Sequence, residues 1–419
     1  MNLDFLQKLH SHSEMKTTKP RIFINMHYME LGGAERALLG LLYAIDTNKV
    51  DVDLFVNQHT GSFMSLIPKN INLLPQHPAY SAIERPMKDI FLEGHWGILF
   101  GRLMAKWRYR RYLKKNKLTE DATVMQFVYD GVISHLPSLE YLGHYDLAIS
   151  FIDPPHIVQD KVDAGIKVEW IHTDFSSRQR NYDAKLTYSR WAANDYIVSI
   201  SNEVTEAFLL AFPGLKEKIV KIENIIPKEL VYKQSEYSGC EEYETVSDDV
   251  LKICSVGRLT RQKNFDNIPK IAGALKKKGL KFHWWVVGPG NVNCYKELVR
   301  QENVEDVVSF IGARNNPYPY MKNCDLYVQP SRWEGKAVTV QEAQMLARPV
   351  IITRYPTSAS QIIDGEDGII CEMDNESIAN AIFDLASDKK RMKELGQKAA
   401  EMHCGNVEEV EKLYEILEG

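Results

Sequence analysis

The chain has 419 residues, of which 44% are hydrophobic and 26% charged, with a formal net charge of -5. That length exceeds one ordinary core and sets the expectation of two domains of about 200 residues each. The composition is that of a soluble globular protein, and the acidic balance excludes a surface built to coat nucleic acid.

Residues 1–19 are polar and patternless, a loose leader without the features of a secretion signal. Residues 21–26 read as a strand, Gly32-Gly33 as a turn, and residues 34–45 as a helix with Leu38, Leu41, Leu42 and Ile45 at helical spacing. Residues 50–56 alternate like a second strand, and apolar runs recur at 146–152, 167–171 and 196–200. Between them, residues 102–117 carry eight Lys or Arg and no acid, interleaved with Trp107, Tyr109 and Tyr112. Residues 233–249 are acidic and aperiodic. A second series of strands follows at 251–256, 281–287, 307–310, 325–329 and 349–353, and residues 407–417 read as an amphipathic closing helix. Strands alternating with helices imply parallel sheets. The expected domains are residues 20–228, a linker or exposed loop at 229–250, residues 251–400, and a closing segment at 401–419. Six cysteines (Cys240, Cys254, Cys294, Cys324, Cys371, Cys404) form no C-x-x-C pair and read as reduced cytosolic thiols. No apolar run approaches the ~20 residues of a membrane span. The expected location is cytoplasmic, or peripheral on the inner face of the plasma membrane.

The most informative stretch is residues 331–342, SRWEGKAVTVQE. Glu334 falls in a loop and Glu342 on the second turn of a helix read over residues 337–347. The helix start between them offers unpaired N–H groups and a positive dipole end, which suit a phosphate. A carboxylate on either side of such a phosphate is a layout for a nucleotide-sugar. Arg258 and Lys263 follow the strand at 251–256, where ligands of open parallel sheets bind, and are read as a diphosphate clamp. Gly32 and Gly33 stand between strand and helix, either as a plain turn or as a close backbone approach to a ligand. His172 ends the strand at 167–171, as a structural group or as one that reaches a sugar hydroxyl. Residues 287–290 (VGPG) lack the third glycine of a dinucleotide fingerprint and read as a turn. Asp51 and Asp53 form a D-x-D inside a strand and read as a polar strand face rather than a metal site. Arg102, Trp107, Arg110, Arg111 and Lys114 represent a basic helix, either simply solvated or facing an anionic membrane or acceptor.

Together, Glu334 and Glu342, the VGRL…KN segment, the GGAER turn and residues 312–326 resemble the retaining glycosyltransferases of family 4, over residues 21–419. The WIHTDF stretch at residues 170–175 is similar to a subgroup acting in capsular, exopolysaccharide or cell-wall glycan assembly. The resemblance implies an α/β GT-B fold, two Rossmann-like doubly wound domains facing a central cleft, with a C-terminal helix closing the structure. It implies metal-independent transfer, with no cofactor, of a hexose or N-acetylhexosamine from a UDP-linked donor to a glycan, lipid-linked or polymer acceptor. Arg258 and Lys263 would neutralise the leaving diphosphate, and Glu334 would touch the transferred sugar. Glu342 would hold the ribose, the backbone near Arg314 the base, and His172 would face the reactive side. Gly335, Lys336, Ala337 and Val338 would form the phosphate-facing helix start. Many members have E-G-F-G where this chain has Glu334-Gly335-Lys336-Ala337, so Lys336 bears on donor choice. The alternatives are a nucleotide-sugar epimerase of the same architecture and a non-catalytic nucleotide- or glycan-binding protein.

Overall fold

A computed structural model of the protein describes residues 19–119, 123–172, 175, 183–402 and 405–419. Residues 1–18 of the expected leader, and Thr173, Asp174 and Cys404, lie outside the described residues.

The first domain is a seven-stranded sheet: β1 (Arg21–Met26), β2 (Asp51–Val56), β3 (Asn72–Leu73), β4 (Tyr145–Ser150), β5 (Ala164–Ile171), β6 (Tyr196–Ser199) and β7 (Ile219–Lys221). Its order is β3-β2-β1-β4-β5-β6-β7, and every pairing is parallel. The second is a six-stranded sheet: β8 (Leu251–Val256), β9 (Phe282–Val287), β10 (Val308–Gly312), β11 (Leu326–Gln329), β12 (Val350–Thr353) and β13 (Ile369–Cys371). Its order is β10-β9-β8-β11-β12-β13, again all parallel. Both sheets are the doubly wound arrangement expected.

Parallel sheets bury both faces, so their central strands read as apolar runs. Alternate residues go to opposite cores. On β1, Ile22, Ile24 and Met26 pack on one side and Phe23 on the other, with Phe55 and Tyr145. On β9, Trp285 and Val287 join one core and Trp284 and Val286 the opposite one. In each sheet the strand order reverses beside the first strand, between β1 and β4 and between β8 and β11. Strand ends at such a reversal diverge and leave a crevice.

The segment expected as an exposed linker at 229–250 is instead folded onto the second domain. It contains the helix Lys228–Ser235 and a turn at Glu241–Thr245. Val231 and Tyr243 are buried in the second core, and Tyr232 Oη donates to the Met345 carbonyl at 2.7 Å. The acidic residues hid two well-spaced apolar anchors, each worth roughly 1.5–3 kcal/mol when fully buried. The closing helix runs Val410–Glu418, and its Val410, Leu413, Tyr414 and Ile416 join the first-domain core. The chain therefore returns to its first half after completing the second. Val407, read as part of the apolar stripe, precedes that helix and is exposed.

Asp53 of the D-x-D sits at the opposite end of the strand from the crevice. It accepts from Arg21 Nη2 at 3.0 Å, Tyr145 Oη at 2.5 Å and Asn72 Nδ2 at 2.6 Å, which is a satisfied structural carboxylate.

Candidate functional site

The reversal points of the two sheets face one another across a cavity of about 390 Å³. The second domain supplies Gly257, Arg258, Gln262 and Lys263 from beyond β8, Gly288 and Pro289 from beyond β9, Arg314 from beyond β10, and Trp333 through Thr339 from beyond β11. The first domain supplies Gly32, Gly33 and Arg36 from beyond β1, Asp153 from beyond β4, and Trp170 and His172 from the end of β5.

Glu334 is buried at the floor of this cavity. Its Oε1 accepts from Lys263 Nζ at 2.6 Å and from Ser331 Oγ at 2.6 Å, and its Oε2 from Gln262 Nε2 at 3.1 Å. The Thr357 hydroxyl holds its backbone carbonyl at 2.8 Å. This carboxylate is fixed by three donors, one of them a cation that is only partly exposed. Arg258 reaches across to the first domain: its Nη2 lies 2.7 Å from where a Cβ on Gly32 would stand, and Glu35 Oε2 lies 2.0 Å from the same point. The side-chain tips of Glu35 and Arg258 thus fill the space beside Gly32, and the GG turn is where Arg258 of the second domain meets the first. Gly33 has open space around it. Glu35, on the helix Gly33–Ala44, is buried with Oε2 lacking a hydrogen-bond partner among the described residues, and burial raises its pKa.

The helix Val338–Met345 begins at the cavity, with Ala337 as its cap residue and no side-chain cap. The Ala337 N–H itself donates to Gln361 Oε1 at 2.6 Å, so the phosphate-facing group expected at Ala337 is already engaged. The next turn, at Val338 and Thr339, lines the cavity. Gly335 approaches the first domain so closely that a Cβ would lie 2.9 Å from the His172 carbonyl.

Two expectations are corrected by geometry. Glu342 does not line the cavity: it is buried against Arg36 Nη1, and its Oε1 accepts from Tyr318 Oη at 2.7 Å. Burial is the largest influence on Arg36 and opposes its charge, but Glu342, Tyr318 and Tyr327 together move the guanidinium pKa up. Lys336 turns its ammonium to Glu223 of the first domain rather than to the cavity centre. Arg314 lines the cavity but is anchored elsewhere, to Glu242 Oε1 at 2.8 Å and the Ile311 carbonyl at 2.8 Å.

His172 stands on the opposite wall, its ring parallel to Trp170 and 4.6 Å from Phe151. Burial drives its pKa down to about 3, offset only in part by a hydrogen bond to the Phe151 backbone. Nε2 has no hydrogen-bond partner among the described residues. The ring is therefore a neutral imidazole with an unused Nε2 buried at the cavity wall. Asn224 Oδ1, also on a lining residue, is buried and likewise unpartnered. Asn224, Gln262, Asp153 and Trp333 were missed by sequence reasoning; each is a single polar or aromatic residue in a connection between longer elements, and only the strand-end position of its neighbours pointed to it.

Of the basic-helix residues, Arg102 is turned inward. Its Nη1 donates to the Arg85 carbonyl, and burial lowers its pKa. Trp107, Arg110, Arg111 and Lys114 lie on or beside the outer surface.

Residues 242–402 match the family described as glycosyl transferases group 1. A Campylobacter jejuni protein named N-acetylgalactosamine-N,N'-diacetylbacillosaminyl-diphospho-undecaprenol 4-alpha-N-acetylgalactosaminyltransferase is 28% identical over 49% of this chain and 58% of its own length. The putative glycosyltransferase EpsF of Bacillus subtilis is 27% identical over 86% of this chain and 85% of its own. Among solved structures, the Anabaena protein Alr3699/HepE in complex with UDP and glucose superposes with a TM-score of 0.66 at 15% identity, over 96% of this chain and all of that one. The chain thus has the GT-B fold, and its residues 242–402 are similar to the glycosyl transferases group 1.

Proposed function

We propose that the protein is a retaining glycosyltransferase that moves a hexose or N-acetylhexosamine from a UDP-sugar to a glycan or lipid-linked acceptor in surface polysaccharide or cell-wall glycan synthesis, without a metal or other cofactor. The observation that carries this reading is the convergence of Arg258, Lys263, Glu334 and an uncapped helix start on one cavity, at the reversal point of the second sheet, with His172 opposite. The relatives' names, and the UDP and glucose held by the Anabaena protein, support it.

The difficult step breaks the anomeric C–O bond, and the bonding pair leaves on the β-phosphate of the nucleoside diphosphate. Positive charge develops on the sugar ring and negative charge on the phosphate oxygen. Arg258, Lys263 and the first turn of the Val338–Met345 helix meet the negative charge in this reading, and loss of one such donor costs about 2.7–4 kcal/mol of barrier. The acceptor oxygen attacks from the face the phosphate leaves, and its proton passes to that phosphate. Glu334, oriented by Lys263, Ser331 and Gln262, faces the transferred sugar. The neutral His172 Nε2 accepts from a sugar hydroxyl.

The test is release of nucleoside diphosphate from a panel of UDP-, GDP- and ADP-sugars, with the carbohydrate product analysed. Transfer to an acceptor, lost in folded Glu334→Gln and Arg258→Ala, is the expected result. Full turnover by either folded variant overturns the assignment. Conversion of the donor sugar without any acceptor instead identifies an epimerase.

A further inference from the structure

The helix Trp96–Asn116 has 21 residues, a rod of about 31 Å at 1.5 Å per residue. Its inner face is committed. Gly101 and Gly131 touch so closely that a Cβ on either would lie within 2.2–2.5 Å of the other's carbonyl oxygen, and Ile98 and Ala105 are buried beside them. Its outer face carries Trp96, Phe100, Leu103 and Trp107, at spacings of four, three and four residues, which puts them in one row. They are 57%, 59%, 51% and 54% exposed, and Phe91 and Leu92 just before the helix are 50% and 69% exposed. The same row continues into Arg110, Arg111 and Lys114, and the Arg111 guanidinium lies 5.6 Å from the Trp107 ring.

An exposed apolar row of this size is unusual on a soluble monomer. Water penalises it, and a water-soluble polyanion would neutralise the cations while leaving the aromatic rings wet. An anionic bilayer satisfies both halves: rings enter the boundary between headgroups and acyl chains while cations meet the phosphates.

We propose that this helix, with Phe91 and Leu92, is an interfacial docking surface for an anionic phospholipid bilayer. The helix lies flat on the membrane, Trp96, Phe100, Leu103 and Trp107 inserted and the cations of its last turns against headgroups. Docking there orients the cleft. Tyr112 Oη, on the same helix, donates to Asp183 Oδ2 at 3.0 Å. Asp183 caps the helix Ala184–Ala192, whose Trp191 lines the cavity. A bilayer-borne acceptor would so be presented to the first-domain wall. The surface is separate from the nucleotide site, so its test does not depend on glycosyl transfer.

The test is co-sedimentation of the full chain with vesicles of phosphatidylglycerol and of phosphatidylcholine, beside heparin as a soluble polyanion. The wild-type protein is expected to bind phosphatidylglycerol vesicles and not phosphatidylcholine ones. The variant Arg110→Gln/Arg111→Gln/Lys114→Gln is expected to lose roughly a hundredfold in vesicle affinity, at about a factor of five per cation. Trp96→Ser/Phe100→Ser/Leu103→Ser is expected to lose vesicle binding while keeping any affinity for heparin. These side chains are exposed, and an unchanged unfolding temperature confirms that both variants fold. Absence of binding to phosphatidylglycerol vesicles overturns the proposal, as does undiminished vesicle binding by the folded serine variant. A dimer in solution that the serine substitutions dissociate, with no vesicle binding, assigns the face to a second copy and also overturns it.

Discussion

Arg36, on the first helix of the first domain, forms a buried ion pair with Glu342, on the helix that opens at the cleft of the second. Both side chains are almost fully excluded from water, and Tyr318 donates a further hydrogen bond to the carboxylate at 2.7 Å. The two domains are thus joined by charge beside the cavity, which Arg36 lines. Removing one partner leaves the other charge buried and uncompensated, which costs about 3–5 kcal/mol. Arg36→Ala is expected to lower stability to urea by that amount, and Arg36→Met combined with Glu342→Gln to recover most of it. Equal losses for the single and double variants would contradict a stabilising ion pair between the domains.

Gly335 approaches the His172 carbonyl, and an added methyl at 2.9 Å forces one of them to move. Overpacking of this kind costs about 1–3 kcal/mol. Gly335→Ala is expected to oppose the close approach of the domains and reduce turnover by roughly 5- to 150-fold, with nucleotide affinity less affected. Steady-state kinetics beside calorimetry separates the two effects.

His172 is neutral in the folded protein, with a pKa near 3 against an ordinary 6.5. Between those values the unfolded chain binds a proton that the folded chain does not. Its contribution therefore lowers stability as pH falls from about 6.5 toward 3, by up to ~1.4 kcal/mol per pH unit. Subtracting the pH dependence of unfolding of His172→Gln from that of the wild type should isolate this slope. Parallel curves would contradict a neutral, buried imidazole.

Lys263 and Arg258 are expected to act on the leaving diphosphate. Lys263→Ala also leaves Glu334 without its 2.6 Å cation. A fall in kcat of roughly 10²–10³-fold is expected for Lys263→Ala, measured on the donor that the panel identifies.

The longer strands, their order of appearance, and Gly32, Arg258, Lys263 and Glu334 of the cavity lining were legible because they rest on local signals, whereas the short strands β3, β7 and β13 were not. Apolar runs of strand length mark β1, β4, β8 and β11, and Arg258, Lys263 and Glu334 follow strands directly. What escaped notice depends on contacts between distant segments. The 229–250 stretch looked like a linker because its acids dominate the composition, whereas Val231 and Tyr243 decide its packing. Glu342 was read into the site by spacing from Glu334, but Arg36, 306 residues earlier, captures it. Lys336 looked like a donor-facing cation until Glu223, across the domain boundary, claimed its ammonium. The apolar row of the Trp96–Asn116 helix was masked because cations of its last turns share the same face.

The cleft is expected to bind a nucleoside diphosphate through Arg258 and Lys263 without a metal. Isothermal titration of the wild-type protein with UDP in the presence of EDTA measures this. One UDP is expected to bind per chain, with no detectable binding by a folded Arg258→Ala/Lys263→Ala variant. Undiminished binding by that variant, or binding that EDTA abolishes, would contradict it.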